Sequence, residues 1–88
     1  MKVKIKKAFL KDLHKIPNSP RRKIEAFVFH EVPEATSIGD LRNVQKIEGH
    51  TAYYRVRFGS YRIGFEYREG TIVFYRVLDR KDIYKYFP

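Results

Sequence analysis

Tyr53-Tyr54-Arg55-Val56-Arg57-Phe58-Gly59-Ser60-Tyr61-Arg62-Ile63-Gly64-Phe65-Glu66-Tyr67 alternates in side-chain character on both sides of Gly59-Ser60. A period of two on either side of a two-residue turn predicts an antiparallel hairpin. The turn sets the pairing: Phe58 with Tyr61, Arg57 with Arg62, Val56 with Ile63, and Arg55 with Gly64. One face then carries Tyr54, Val56, Phe58, Tyr61, Ile63, Phe65 and Tyr67, and reads as a core face. The other carries Arg55, Arg57 and Arg62 around Gly64, which has no side chain. Like charges facing each other across a ladder are destabilising. The pattern therefore points to an anion held against this face, with Gly64 leaving room for it.

Outside the hairpin the period changes. Lys2 to Lys6 alternates charged and apolar, with Val3 and Ile5 on one side, and predicts a short edge strand guarded by lysines. Phe9, Leu10, Leu13 and Ile16 recur at helical spacing and predict a first helix that stops before Pro17. Ser19 as N-cap and Pro20 at the first helical position start a second helix. Its stripe is Ile24, Phe27, Val28 and Val32, and Pro33 ends it. Glu34 to Arg42 reads as a loop in which Thr36 or Ser37 could cap a short helical turn. Val44 to Glu48 predicts a strand closed by Gly49. Past the hairpin, Glu69-Gly70 turns the chain into a β-rich strand, Thr71 to Leu78. Asp79 is placed to cap a final short helix from Arg80 to Tyr86.

The register of the last strand decides where Arg76 points. A two-residue loop at Glu69-Gly70 puts Arg76 on the core face with Ile72 and Phe74. A three-residue loop puts Val73, Tyr75 and Val77 there instead, and sets Arg76 beside Arg62 on the open face. Burying an unpaired arginine is expensive, so the second register is expected. The elements add up to one α+β microdomain over residues 1–88. Two N-terminal helices pack on a small, mostly antiparallel sheet, a short C-terminal helix follows, and the opposite sheet face is open and basic.

Composition narrows the function classes. The chain of 88 residues has a formal charge of +9 and is 43% hydrophobic and 16% aromatic. That balance builds a small core and favours a polyanionic partner, nucleic acid first. Cysteine is absent, which excludes a disulfide framework, thiolate chemistry and a cysteine zinc site. His14, His30 and His50 lack metal-ligand spacing, so neither a metal nor another cofactor is expected. No apolar run approaches the roughly 18 residues of a membrane span, and the expected location is the cytoplasm.

Tyr54-Arg55-Val56-Arg57, then Gly59-Ser60-Tyr61-Arg62, the strand Ile72 to Leu78, and Asp79-Arg80-Lys81-Asp82-Ile83-Tyr84 together resemble the RelE family of toxins, within the RelE/ParE superfamily. The resemblance spans essentially the whole chain. It implies a toxin of a type II toxin–antitoxin system that enters the ribosomal A site, cuts messenger RNA there, and is neutralised by a cognate antitoxin. Carried over by position, Arg55 and Arg57 look like the basic pair that grips the RNA backbone, and Arg62 like the arginine at the scissile phosphate. Arg80 looks like the basic residue near the leaving oxygen, and Tyr84 like the tyrosine that orients the target nucleotide. Tyr53, Arg76 and Lys81 are grouped with the RNA-contacting residues. Two positions depart from the family pattern: Asp79, where many members have histidine, and Ser60, where many have aspartate. ParE-like members of the superfamily act instead by binding DNA gyrase, and a third alternative is an RNA-binding module without catalysis.

Metal-free RNA cleavage suits this residue set in one respect and strains it in another. The adjacent ribose hydroxyl attacks the phosphate, negative charge gathers on the phosphoryl oxygens, and fixed arginines aimed there stabilise it. No histidine is well placed as a general base. Glu66, on the arginine face, is a candidate base, but a structural ion pair balancing the arginine cluster is the favoured reading. Cations around a tyrosine favour its phenolate, which gives Tyr84 a second route to the proton.

Overall fold

The hairpin forms in the expected register. In a computed structural model describing residues 1–88, β3 (Tyr53–Phe58) and β4 (Tyr61–Arg68) pair Phe58 with Tyr61, Arg57 with Arg62, Val56 with Ile63 and Arg55 with Gly64. Gly59 takes a φ of +57° at the first turn position, as a type II′ hairpin turn requires. Three further strands, β1 (Lys2–Ile5), β2 (Val44–Lys46) and β5 (Thr71–Asp79), complete a sheet of order β1-β5-β4-β3-β2. Only β1 and β5 run parallel.

Helices α1 (Lys7–His14) and α2 (Asn18–Ala26) cover one sheet face. Phe9, Leu13, Ile16, Ile24, Phe27, Val28 and Val32 from the helical side meet Val56, Ile63, Phe65, Ile72, Phe74 and Val77 in one core. Phe27 is the hinge of the packing, 5.2 Å from Phe58 and 6.4 Å from Phe74 between ring centres. Each of these large side chains contributes roughly 1.5–3 kcal/mol by leaving water. Leu10, read with the first helix's apolar stripe, is instead on the outer side and 42% exposed.

The second helix differs from its expected bounds at both ends. It begins at Asn18, with the Pro17 carbonyl accepting from the Arg21 N–H, and Ser19 makes no cap bond. It also runs through Pro33. A π-helical segment, Phe27–Glu31, intervenes, with the Val32 N–H reaching back to the Phe27 carbonyl, and a last turn α3 (Val32–Glu34) follows. Proline lacks an N–H and crowds the ordinary i−4 carbonyl, and the wider π turn just before it changes that spacing. Beyond it, Asp40 accepts from both Thr36 and Ser37, capping a 3₁₀ turn at Ile38–Asp40. These donors hold its carboxyl below the usual range, the Thr36 hydroxyl most of all.

The last strand corrects the register expected above. The loop is two residues long, Arg68 facing Thr71, with Glu69 and Gly70 both at positive φ. Ile72 and Phe74 therefore enter the core, and Val73 and Tyr75 do not. A bulge then shifts the pairing between Gly64 and Phe65, leaving Phe65 opposite Phe74 and Gly64 opposite Arg76. The extra residue returns Val77 to the core opposite Ile63 and keeps Arg76 out of it. The terminal helix is also shorter than expected: α4 is Ile83–Tyr86, with a turn at Arg80–Asp82 before it.

Candidate nucleic-acid interface

The sheet face away from the helices is not uniformly open. Asp79 Oδ1 accepts from the Lys81 N–H at 2.9 Å, turning the chain back over the sheet. Ile83 and Phe87 then bury against that face at 2% and 4% exposure. Phe87 takes the space at Gly64: a Cβ on that glycine would fall 2.3–2.7 Å from its ring. The room expected for an anion at Gly64 is thus filled by the chain's own aromatic. Tyr53 joins this cluster, its ring centre 5.4 Å from Phe87, 6.2 Å from Tyr75 and 5.3 Å from His50.

Beside the terminal helix lies a cleft of about 470 Å³ lined by Asn43, Val44, Gln45, Arg55, Arg57, Arg62 and Tyr84. No carboxylate lines it. The ion pairs of the chain are Arg68–Glu66, Arg76–Asp12 and Lys85–Asp82, so Arg55, Arg57, Arg62 and Arg80 have no acidic partner. A larger hollow of about 550 Å³ between α3 and β3 is rimmed by Glu31, Glu34 and Asp40, whose charges repel phosphate. Of the two, the arginine cleft carries the greater positive charge.

Arg55 is the organiser of the cleft. Its Nη1 donates to the Tyr84 hydroxyl oxygen at 2.8 Å, and its Nε and Nη2 fork onto Gln45 Oε1 at 3.3 and 3.2 Å. Tyr84 thus accepts with its oxygen and keeps its own proton free to donate. Arg62 Nη1 is tied to the carbonyls of Gly59 at 2.7 Å and Tyr61 at 3.0 Å. A guanidinium held this way needs little reorganisation when charge develops before it. Arg57, directly across the ladder, is exposed.

The remaining residues singled out from the sequence fall elsewhere. Arg80 and Lys81 are exposed and do not line the cleft. The Arg80 N–H bonds to the Ser60 carbonyl at 2.8 Å, which pins its backbone to the hairpin tip. Arg76 makes a two-pronged pair with Asp12, 2.7 and 3.0 Å, and the same carboxylate accepts from the Val77 N–H at 3.1 Å. Asp12 caps the part of β5 that extends past the end of β1. Glu66, the candidate base, forms an ion pair with Arg68. The Arg68 hydrogen bond at 2.6 Å, ahead of Tyr75, holds its carboxyl below the usual range. Tyr75 in turn is pushed up by burial and then by that carboxylate.

Gln45 was not foreseen. It faces Arg55 in the β2–β3 pairing, and the only sequence signal was its place in an expected strand. The loop between the two strands left that register open. Asn43, in the left-handed conformation at φ 60° just before β2, lines the cleft for the same reason.

A small, mostly antiparallel sheet thus carries two helices on one face and an arginine cleft on the other. Residues 3–84 match the family described as ParE toxin of type II toxin-antitoxin system, parDE, and the chain belongs to that family. It is 46% identical over 89 residues to Toxin RelE3 of Methanocaldococcus jannaschii, with both chains covered in full. Its structure is similar to that of the RelB-RelE antitoxin-toxin complex from Methanococcus jannaschii, with a TM-score of 0.82 at 43% identity, over 97% of this chain and 99% of that one. The archaeal RelE-RelB complex from Pyrococcus horikoshii OT3 matches at a TM-score of 0.60 and 25% identity, over 90% and 93% of the two chains. No helix is long and apolar enough to cross a membrane.

Proposed function

We propose that residues 1–88 act as one ribosome-dependent endoribonuclease domain that cuts messenger RNA in the A site and halts translation. The observation that carries this is the cleft in which Arg55, Arg57, Arg62 and Tyr84 converge without a carboxylate. The ribose hydroxyl beside the scissile phosphate attacks phosphorus and gives up its proton to water as the bond to the leaving oxygen breaks. That oxygen takes a proton from water, leaving a cyclic phosphate on one side and a free hydroxyl on the other. Arg57 and Arg55 position the backbone. Arg62, pre-set by its two carbonyl contacts, faces the charge gathering on the phosphoryl oxygens. Tyr84, polarised by Arg55, orients the nucleotide and donates its hydroxyl proton toward an oxygen of the phosphate. Arg80 lies outside the cleft lining, with its backbone tied to the hairpin tip, and its assignment to the leaving oxygen rests on the resemblance by position.

The partner we infer is an antitoxin. Solved relatives are toxins in complex with one, and an acidic segment that folds on binding suits a cleft of uncompensated arginines. The match to a ParE profile favours one second proposal, inhibition of DNA gyrase by protein binding. Parallel assays separate them: loss of protein synthesis in a purified translation system with gyrase supercoiling intact supports the nuclease, and the reverse supports the gyrase inhibitor.

A further inference from the structure

Arg55, Gly64 and Arg76 form one row across β3, β4 and β5. Each takes one aromatic residue of the terminal segment. Tyr84 bonds to Arg55, the ring of Tyr86 lies 4.9 Å from the Arg76 guanidinium carbon, and Phe87 sits on Gly64. We propose that Gly64 and Phe87 are positioning residues for the cleft: the ring seated on bare backbone fixes α4 and so sets the Tyr84 hydroxyl at the cleft.

Three observations carry this. A helix of four residues has no stability of its own, so α4 is held by docking. Its buried anchors, Ile83 and Phe87, flank Tyr84, whose own side chain is 63% exposed and contributes little to holding it. Finally, Phe87 lies outside the main core cluster. Its neighbours are Gly64, Tyr53 at 5.4 Å and Tyr75 at 5.5 Å between ring centres. Losing this ring therefore moves Tyr84 more than it loosens the fold. Any side chain at Gly64 collides with the ring, which explains why the row has a glycine at its centre.

The consequence for catalysis rests on the nuclease proposal, whereas the seat itself rests on geometry alone. Single-turnover cleavage of ribosome-bound message by Phe87→Ala and Gly64→Ala tests the first. Each is expected to lower the rate on the order of a hundredfold, the usual effect of a misplaced group. Ribosome affinity should stay within about twofold, a split between chemistry and binding. Phe87→Leu should restore most of the rate, and neither variant should lose more in a Tyr84→Phe background, since coupled residues are not additive. Native rates in both variants, or losses that add fully to Tyr84→Phe, overturn the proposal. If native protein leaves the message whole, the nuclease proposal fails and the seat is tested by aromatic NMR. A Phe87 ring contact to the Gly64 α-protons, with Tyr84 ring signals displaced in Gly64→Ala, supports it. No such contact, or unmoved Tyr84 signals, overturns it.

Discussion

Arg57 lies directly opposite Arg62 in the β3–β4 ladder, and neither has a carboxylate partner. Two guanidinium groups in that relation cost stability unless an anion bridges them. Replacing one should thus move stability and binding in opposite directions. Arg57→Gln should leave the urea midpoint unchanged or raise stability by about 0.2–1 kcal/mol. The same change should weaken RNA binding, and a weaker midpoint in the free protein would contradict the assignment.

Salt dependence checks the same surface. If Arg57 contacts one phosphate of a single strand, Arg57→Gln should flatten the slope of log affinity against log salt by about 0.7. Titrations of a short RNA at several salt concentrations measure it. An unchanged slope would place Arg57 off the backbone.

Asp12 should matter for folding. It is 5% exposed and bonds both Arg76 and the Val77 N–H. Asp12→Ala leaves a partly buried guanidinium and an edge N–H without partners, at a cost of about 3 kcal/mol. In a chain of this size that corresponds to a fall of roughly 12–24 °C in the thermal midpoint. Calorimetry would show it, and a shift of only a degree or two would mean that the pair is not formed in solution.

The Glu66–Arg68 pair sets a pH dependence. Folding holds the Glu66 carboxyl below its ordinary value of 4.5. The group therefore stabilises the fold above about pH 4.5, and that contribution is lost as the pH falls through the lower folded value. Arg68 is 62% exposed, so solvent screening keeps the effect small. Urea midpoints of Glu66→Gln against native protein, from about pH 6 to about pH 3, should converge at the acid end.

Much of the fold was legible because its strongest signals are local. Gly59-Ser60 fixes the hairpin register through turn geometry, and the apolar spacing from Phe9 to Ile16 and from Ile24 to Val32 marks the helices. The misplaced features are those set by distant parts of the chain. The bulge that splits Tyr75 from Arg76 is visible only once β4 is alongside β5. The cost of burying an unpaired guanidinium predicts Arg76 outside the core, but the bulge rather than a longer loop puts it there, and its partner Asp12 arrives from α1. Gly64 signalled a close approach without saying by what, because Phe87 is brought to it by docking of α4. Arg55, Arg57 and Arg62 are legible as a group because all three sit in the hairpin, whereas Tyr84 is singled out only by the family resemblance. Gln45 was not legible, since its register depends on a loop whose length carries no turn rule.

The central claim is a cleft that cuts RNA with Arg62 facing the scissile phosphate. Primer extension on a defined message in a purified translation system, comparing native protein with Arg62→Ala, tests it most directly. Cuts should appear at A-site codons only when ribosomes are present, and fall on the order of a hundredfold or more in the variant, as for loss of one preorganised donor. An intact message with native protein, or cleavage by Arg62→Ala at the native rate, would contradict it.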